Sequence, residues 1–206
     1  MIQPKITIID TGCANLSSVK IALDRLGADV RISADLDDIR NADKLILPGV
    51  GSAIAAMKSI NERKLADAVR EAKQPLLGIC LGMQMLGESS EESMSEGNGS
   101  AVDCLGVCRG KVSLLETNGL RLPHMGWNSV KTVKEHPLFK GIPEGSYFYF
   151  VHSYAYGIGE DTIATCEHGT EFTSVIGRGN FMGTQFHPEK SGPIGAKLLG
   201  NFITEI

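Results

Sequence analysis

The segment Pro75-Leu76-Leu77-Gly78-Ile79-Cys80-Leu81-Gly82-Met83-Gln84 leaves few folds open to this chain. An apolar run meets a Gly-x-Cys-x-Gly turn and continues at once into residues of helical character. This is the cysteine form of the nucleophile elbow, a sharp strand-to-helix turn that lifts one reactive side chain above a sheet. Gly78 and Gly82 permit the close backbone approach that such a turn needs. A helix starting at Leu81 aims free N–H groups and the positive end of its dipole at the sulfur, which favours thiolate over thiol. Elsewhere in a core a cysteine is a small hydrophobe; at this turn Cys80 is a candidate nucleophile.

The flanking pattern supplies the sheet that an elbow requires. Residues 5–10, 29–32, 44–47 and 75–79 read as buried strands. A helix follows the first, with Leu16, Val19, Leu23 and Leu26 at helical spacing, and Gly27 stops it. A second helix is expected around residues 62–71, with Leu65, Ala68, Val69 and Ala72 facing inward. This order predicts an α/β fold with a mainly parallel central sheet flanked by helices. The polar stretch 89–100 reads as a loop. Beyond it short strands are expected at 110–115, 128–133, 147–151, 162–166, 173–177 and 180–185, several of them antiparallel extensions. A final amphipathic helix covers about 192–204. No repeat or long linker divides the chain, so residues 1–206 are expected to form a single domain.

A cysteine nucleophile needs a base. Phe181-Met182-Gly183-Thr184-Gln185-Phe186-His187-Pro188-Glu189 reads as a strand ending in His-Pro-Glu. Pro188 biases His187 towards an extended conformation, and residues two apart on extended chain share a face. His187 would then move the proton while Glu189 fixes its tautomer. Leu45-Ile46-Leu47-Pro48-Gly49-Val50-Gly51 ends an apolar strand in a Pro-Gly-x-Gly turn, suited to presenting peptide N–H groups to an oxyanion.

Taken together, these three motifs resemble the triad-type, class I glutamine amidotransferases. Further segments sharpen the likeness: Asp10-Thr11-Gly12-Cys13-Ala14-Asn15-Leu16, Leu122-Pro123-His124-Met125-Gly126-Trp127-Asn128 and Tyr149-Phe150-Val151-His152-Ser153-Tyr154. They resemble the branch of that family whose partner is a separate (β/α)8-barrel cyclase. The resemblance runs from about residue 5 to the C-terminus and implies a flavodoxin-like architecture. It implies a catalytic triad of Cys80, His187 and Glu189, with an oxyanion hole from the backbone N–H groups of Val50 and Leu81. It also implies glutamine-binding roles for Gly51, Gln84, Glu92, Ser153 and Tyr154. Glu92 would face the α-ammonium, and the main chain at Ser153 and Tyr154 the α-carboxylate. His152 and Tyr149 match positions near a subunit interface, His124 and His136 are given structural or surface places, and His168 falls in an expected turn with no assigned role.

The same resemblance implies that ammonia from glutamine passes to the cyclase, which converts PRFAR to imidazole glycerol phosphate and AICAR in histidine biosynthesis. A barrel of about 250 residues does not fit within this chain, so a heterodimer with a separate cyclase is expected. The turn at residues 48–51 is the expected switch, and no cofactor or metal is implied. The motifs also leave open a glutaminase serving another synthase, a cysteine peptidase and a catalytically silent binding protein. Composition removes other classes. The net charge of −4 gives no reason to propose nucleic acid or an anionic membrane as partner. No apolar run approaches the roughly 20 residues of a spanning helix, and Met1-Ile2-Gln3-Pro4-Lys5 carries no signal-peptide core. Five irregularly spaced cysteines argue against a disulfide framework, so the expected location is the cytoplasm, with Cys104 and Cys108 as core thiols.

Overall fold

Successive residues on the first strands go to opposite faces of one sheet, and this alternation organises the molecule. A computed structural model describes residues 4–12, 15–92 and 101–206. Strand β1 (Lys5–Ile9) is followed by α1 (Leu16–Arg25), β2 (Asp29–Ser33), α2 (Leu36–Arg40) and β3 (Lys44–Gly49). Then come α3 (Ala53–Glu62), α4 (Leu65–Arg70), β4 (Leu76–Cys80) and α5 (Leu81–Met85). Ile6, Ile8, Ile46, Leu77 and Ile79 pack to one side with Val19 and Leu23 of α1, whereas Ile9, Leu45, Leu47 and Leu76 pack to the other with Met57, Ile60, Leu65 and Val69. A sheet covered on both faces explains why its strands are continuously apolar.

Beyond the elbow lie β5 (Ser89–Ser90), β6 (Val102–Asp103), β7 (Lys111–Leu114), β8 (His124–Ser129) and β9 (Lys131–Thr132). They are followed by β10 (Tyr147–His152), β11 (Tyr154–Tyr156), β12 (Thr162–His168), β13 (Thr170–Arg178), β14 (Phe181–Thr184) and α6 (Gly192–Thr204). The main sheet runs β2-β1-β3-β4-β14-β13-β11-β7-β5-β6, and β12 and β9 join it through β13. From β2 to β14 neighbouring strands are parallel; β13 then runs antiparallel to β14, and β11 antiparallel to β13. The expected α/β architecture, a parallel core with antiparallel extensions, is what forms. Strands β8 and β10 make a separate antiparallel ribbon.

Three local expectations need correction. Residues 62–71 are not one helix: α3 ends at Glu62, Lys64 takes φ +58, and α4 starts anew at Leu65. The start of α3 is set by Ser52, whose side chain accepts from Ala55 N at 3.4 Å. The strand expected at 128–133 begins earlier, at His124, and stops at Ser129 before the short β9. Within the stretch 89–100, Ser89 and Ser90 pair with β6 and β7, and residues 93–100 lie outside the described residues, as do residues 13 and 14.

Candidate active site

The elbow forms where β4 ends. Cys80 adopts φ 55 and ψ −113, a conformation an L-residue holds only when its surroundings impose it. Those surroundings are bare backbone. A Cβ on Gly82 would lie 1.7 Å from Leu47 O, and one on Gly78 would lie 2.7 Å from Gly82 O. The two glycines therefore let β4, α5 and β3 touch main chain to main chain. The helix behind the sulfur has only five residues, so nearby N–H groups count for more than a long macrodipole.

Register brings the remaining motifs to the same edge. Gly49 is paired with Cys80 across β3 and β4, and Thr184 with Ile79 across β4 and β14. Val50 and Gly51 thus emerge on one flank of the nucleophile and residues 185–189 on the other. This places the site at the carboxyl ends of parallel strands, where open α/β sheets bind ligands.

His187 Nδ1 lies 2.7 Å from Glu189 Oε1, and both side chains are buried. The pairing is the expected one, but its geometry is not strand alternation. His187 is extended, whereas Pro188–Lys190 form a 3-10 turn that folds Glu189 back beneath the imidazole. Ser191 Oγ donates to His187 O at 2.6 Å and accepts from Tyr149 N at 2.9 Å, while His187 N donates to Tyr149 O at 2.9 Å. Gly195 lets α6 approach this turn, since a Cβ there would sit 1.9 Å from Pro188 O. Burial alone would lower the His187 pKa. Interactions with Cys80 and with Glu189 outweigh it and raise the pKa to about 9.

A cavity of about 330 Å³ opens over Cys80 and His187, and Val50, Gly51, Leu81, Gln84, Glu92, Ser153 and Tyr154 all line it. Glu189 stands behind His187. The Gln84 amide donates to Tyr154 O at 2.8 Å and to Gln185 Oε1 at 2.9 Å, so its oxygen is the atom left to meet a ligand. Glu92 Oε2 accepts from Ala53 N, the first residue of α3, at 2.9 Å. Burial raises the Glu92 pKa, and the Ala53 bond partly offsets the rise.

Sequence reasoning missed several neighbours. His152, expected near an interface, lines the cavity, and its Nδ1 lies 2.9 Å from Tyr154 O. Its Nε2 is 3.0 Å from His124 Nδ1, and His124 Nε2 is 3.1 Å from Asn128 Nδ2. His168 stacks on His124 with ring centroids 4.4 Å apart. Burial pushes the pKa of His152 down to about 3 and that of His124 to about 4, each reinforced by neighbouring imidazoles. Gln185 is fully buried, with its Nε2 3.8 Å from Cys80 Sγ. The only signal for Gln185 was its place two residues before His187. Burial also raises the thiol pKa of Cys104 to about 11 and that of Cys108 to about 12, so both are neutral core thiols, as expected.

Residues 7–206 match the family described as glutamine amidotransferase class-I. The chain belongs to the class I glutamine amidotransferases. It is 56% identical over 203 residues to imidazole glycerol phosphate synthase subunit HisH 1 of Vibrio vulnificus strain YJ016, covering 98% of this chain and 99% of that one. It is 53% identical to the HisH subunit of Shewanella loihica, covering 98% of this chain and 92% of that one. Among solved structures, a putative GMP synthase protein from Thermoplasma acidophilum aligns with TM-score 0.73 at 19% identity, over 98% of this chain and 94% of that one. PurLQS from Thermotoga maritima aligns with TM-score 0.71 at 19% identity, over 99% of each chain. At that identity the structural likeness concerns the fold.

Proposed function

We propose that the protein hydrolyses glutamine to glutamate and ammonia with a Cys80-His187-Glu189 triad and passes the ammonia to a separate (β/α)8-barrel cyclase in histidine biosynthesis. The observation that carries the chemistry is the buried His187–Glu189 pair, with His187 and Cys80 in the wall of one cavity. The choice of partner is supported by the HisH relatives, whose names make them subunits of imidazole glycerol phosphate synthase.

The Cys80 thiolate attacks the side-chain carbonyl carbon of glutamine, and the oxygen that gains charge is held by the N–H groups of Leu81 and Val50. His187, carrying the proton taken from the thiol, delivers it to the departing nitrogen as the C–N bond breaks. Ammonia leaves and a γ-glutamyl thioester remains. Water then gives a proton to His187 while its oxygen attacks the thioester, the C–S bond breaks, and glutamate and thiolate are released. Glu189 keeps Nδ1 engaged throughout, so Nε2 is the nitrogen that faces the reaction. Glu92 attracts the α-ammonium, Ser153 and Tyr154 receive the α-carboxylate, and Gly51 and the Gln84 oxygen flank the substrate. Cytoplasmic location belongs to the same reading.

The test is glutamate release by the chain alone and with a barrel cyclase carrying its nucleotide ligand. Weak activity alone, rising by orders of magnitude in the complex, is expected. Cys80→Ala should lose about 10⁴-fold or more in kcat, because the members of a triad act as a unit. Near-normal turnover in Cys80→Ala would remove the triad, and high activity indifferent to the cyclase would remove the partner.

A further inference from the structure

Gln185 is a buried carboxamide for which the triad has no use. Burying an amide is costly unless its hydrogen bonds are made, and here they run in one direction to the nucleophile. Phe186 points into the core, stacked on Phe148 with centroids 4.1 Å apart. The residues on either side of it, Gln185 and His187, turn the other way towards Cys80.

Which end of the Gln185 amide faces the sulfur follows from a backbone carbonyl. Tyr154 O can only accept, so the Gln84 atom 2.8 Å from it is the donor Nε2. The same Nε2 is 2.9 Å from Gln185, and that contact requires an acceptor, Oε1. Gln185 therefore turns its N–H donor to Cys80 Sγ, at 3.8 Å. The His152 ring nitrogen 2.9 Å from Tyr154 O adds a second partner to the carbonyl that sets this polarity.

Resting on Cys80 as the nucleophile, we infer that Gln185 donates a hydrogen bond to the Cys80 thiolate, held in that orientation by Gln84 and the Tyr154 carbonyl. The thiolate is present twice in each turnover, before attack and again when the thioester collapses. His187 is a mobile-proton donor at both moments. Gln185 is a donor that never gives its proton up, so it stabilises the sulfur anion whatever the state of the imidazole.

The experiment uses the full chain with Gln185→Met, which keeps the bulk without a donor, and Gln185→Glu, which keeps the acceptor for Gln84 but turns a carboxylate towards the sulfur. The rate of carboxamidomethylation of Cys80 by iodoacetamide is followed against pH by mass spectrometry of the Cys80 peptide. Glutaminase kcat and KM are measured with the cyclase bound. The midpoint of the alkylation profile should rise by about one to two pH units in Gln185→Met, the range expected for one hydrogen bond to a charged group. It should rise further in Gln185→Glu. The kcat should fall about tenfold or more while KM for glutamine stays within about twofold. Wild-type alkylation profiles in both variants would reduce Gln185 to a structural tie between β14 and α5 and overturn the inference. Should circular dichroism show Gln185→Met unfolded, the profile of Gln185→Glu decides alone. Retained turnover in Cys80→Ala is a separate result, which removes the triad itself.

Discussion

Two buried histidine environments in this molecule, one beside the middle of β10 and one at its end, have opposite acid-base character. His187 sits beside Glu189 and Cys80, and its pKa is lifted to about 9. His152 and His124 sit against each other, a carbonyl and Asn128, and their pKa values sink to about 3 and about 4. All three rings are nearly closed to solvent, so burial is not what separates them. An anionic partner reverses the effect of burial, and a dipolar partner does not. The first environment can move a proton at neutral pH. The second keeps a fixed set of tautomers that orders the cavity wall.

The strongest way to break this contrast is to remove the anion. Glu189→Gln should leave His187 hydrogen-bonded but without its negative neighbour, costing about 10³-fold or more in kcat. An NMR titration of His187 should show its pKa falling from about 9. An unchanged titration would mean that Glu189 has no electrostatic hold on the base.

A second test sharpens the contrast through stability. The folded pKa of His187 lies above the 6.5 of a free imidazole, so its stabilising contribution is complete below pH 6.5 and fades as pH rises through about 9. For His152 and His124 the folded values lie below 6.5. Their contribution is present above pH 6.5 and is lost as pH falls towards about 4 and about 3. The wild-type Tm should therefore decline on both sides of pH 6.5. His187→Gln should flatten the alkaline limb and His152→Gln the acid limb; parallel curves for all three proteins would contradict the assignment.

The smallest effect concerns the end of the dipolar chain. Asn128 Nδ2 serves both His124 Nε2 and Glu167 O, so Asn128→Ala should cost about 1–2 kcal/mol, measured by denaturant unfolding. It should change kcat far less than Glu189→Gln does.

How much of this was legible from the sequence follows from which interactions are local. The elbow, the Pro-Gly-x-Gly turn and the His-Pro-Glu triplet are written in adjacent residues, and the parallel register of β3, β4 and β14 then gathers them at one sheet edge. The pairing of His187 with Glu189 was foreseen for a mistaken reason, because a 3-10 turn rather than strand alternation joins them. The early start of β8 was missed because Gly126, at φ +127, interrupts any alternating pattern. Gln185 and the His124–His152 pair were missed because their partners lie 105 and 28 residues away in the chain. Nothing in neighbouring residues announces a contact of that range.

The ribbon of β8 and β10 stands outside the ladder of the main sheet. Its exposed face carries Met125, Trp127 and Tyr147, while Tyr149, in the same strand as Tyr147, holds the backbone of His187 directly through its O and by way of Ser191 Oγ through its N. Mechanically this is a lever. The same strand buries Phe148 and Phe150 in the core that holds Leu77, Ile79 and Cys80, and its Val151 O lies 3.9 Å from Cys80 Sγ, so a load on the outer aromatics reaches the base and the nucleophile through one short strand. Leverage on the ribbon would therefore shift the two reacting groups together, changing the spacing of the pair rather than one member of it.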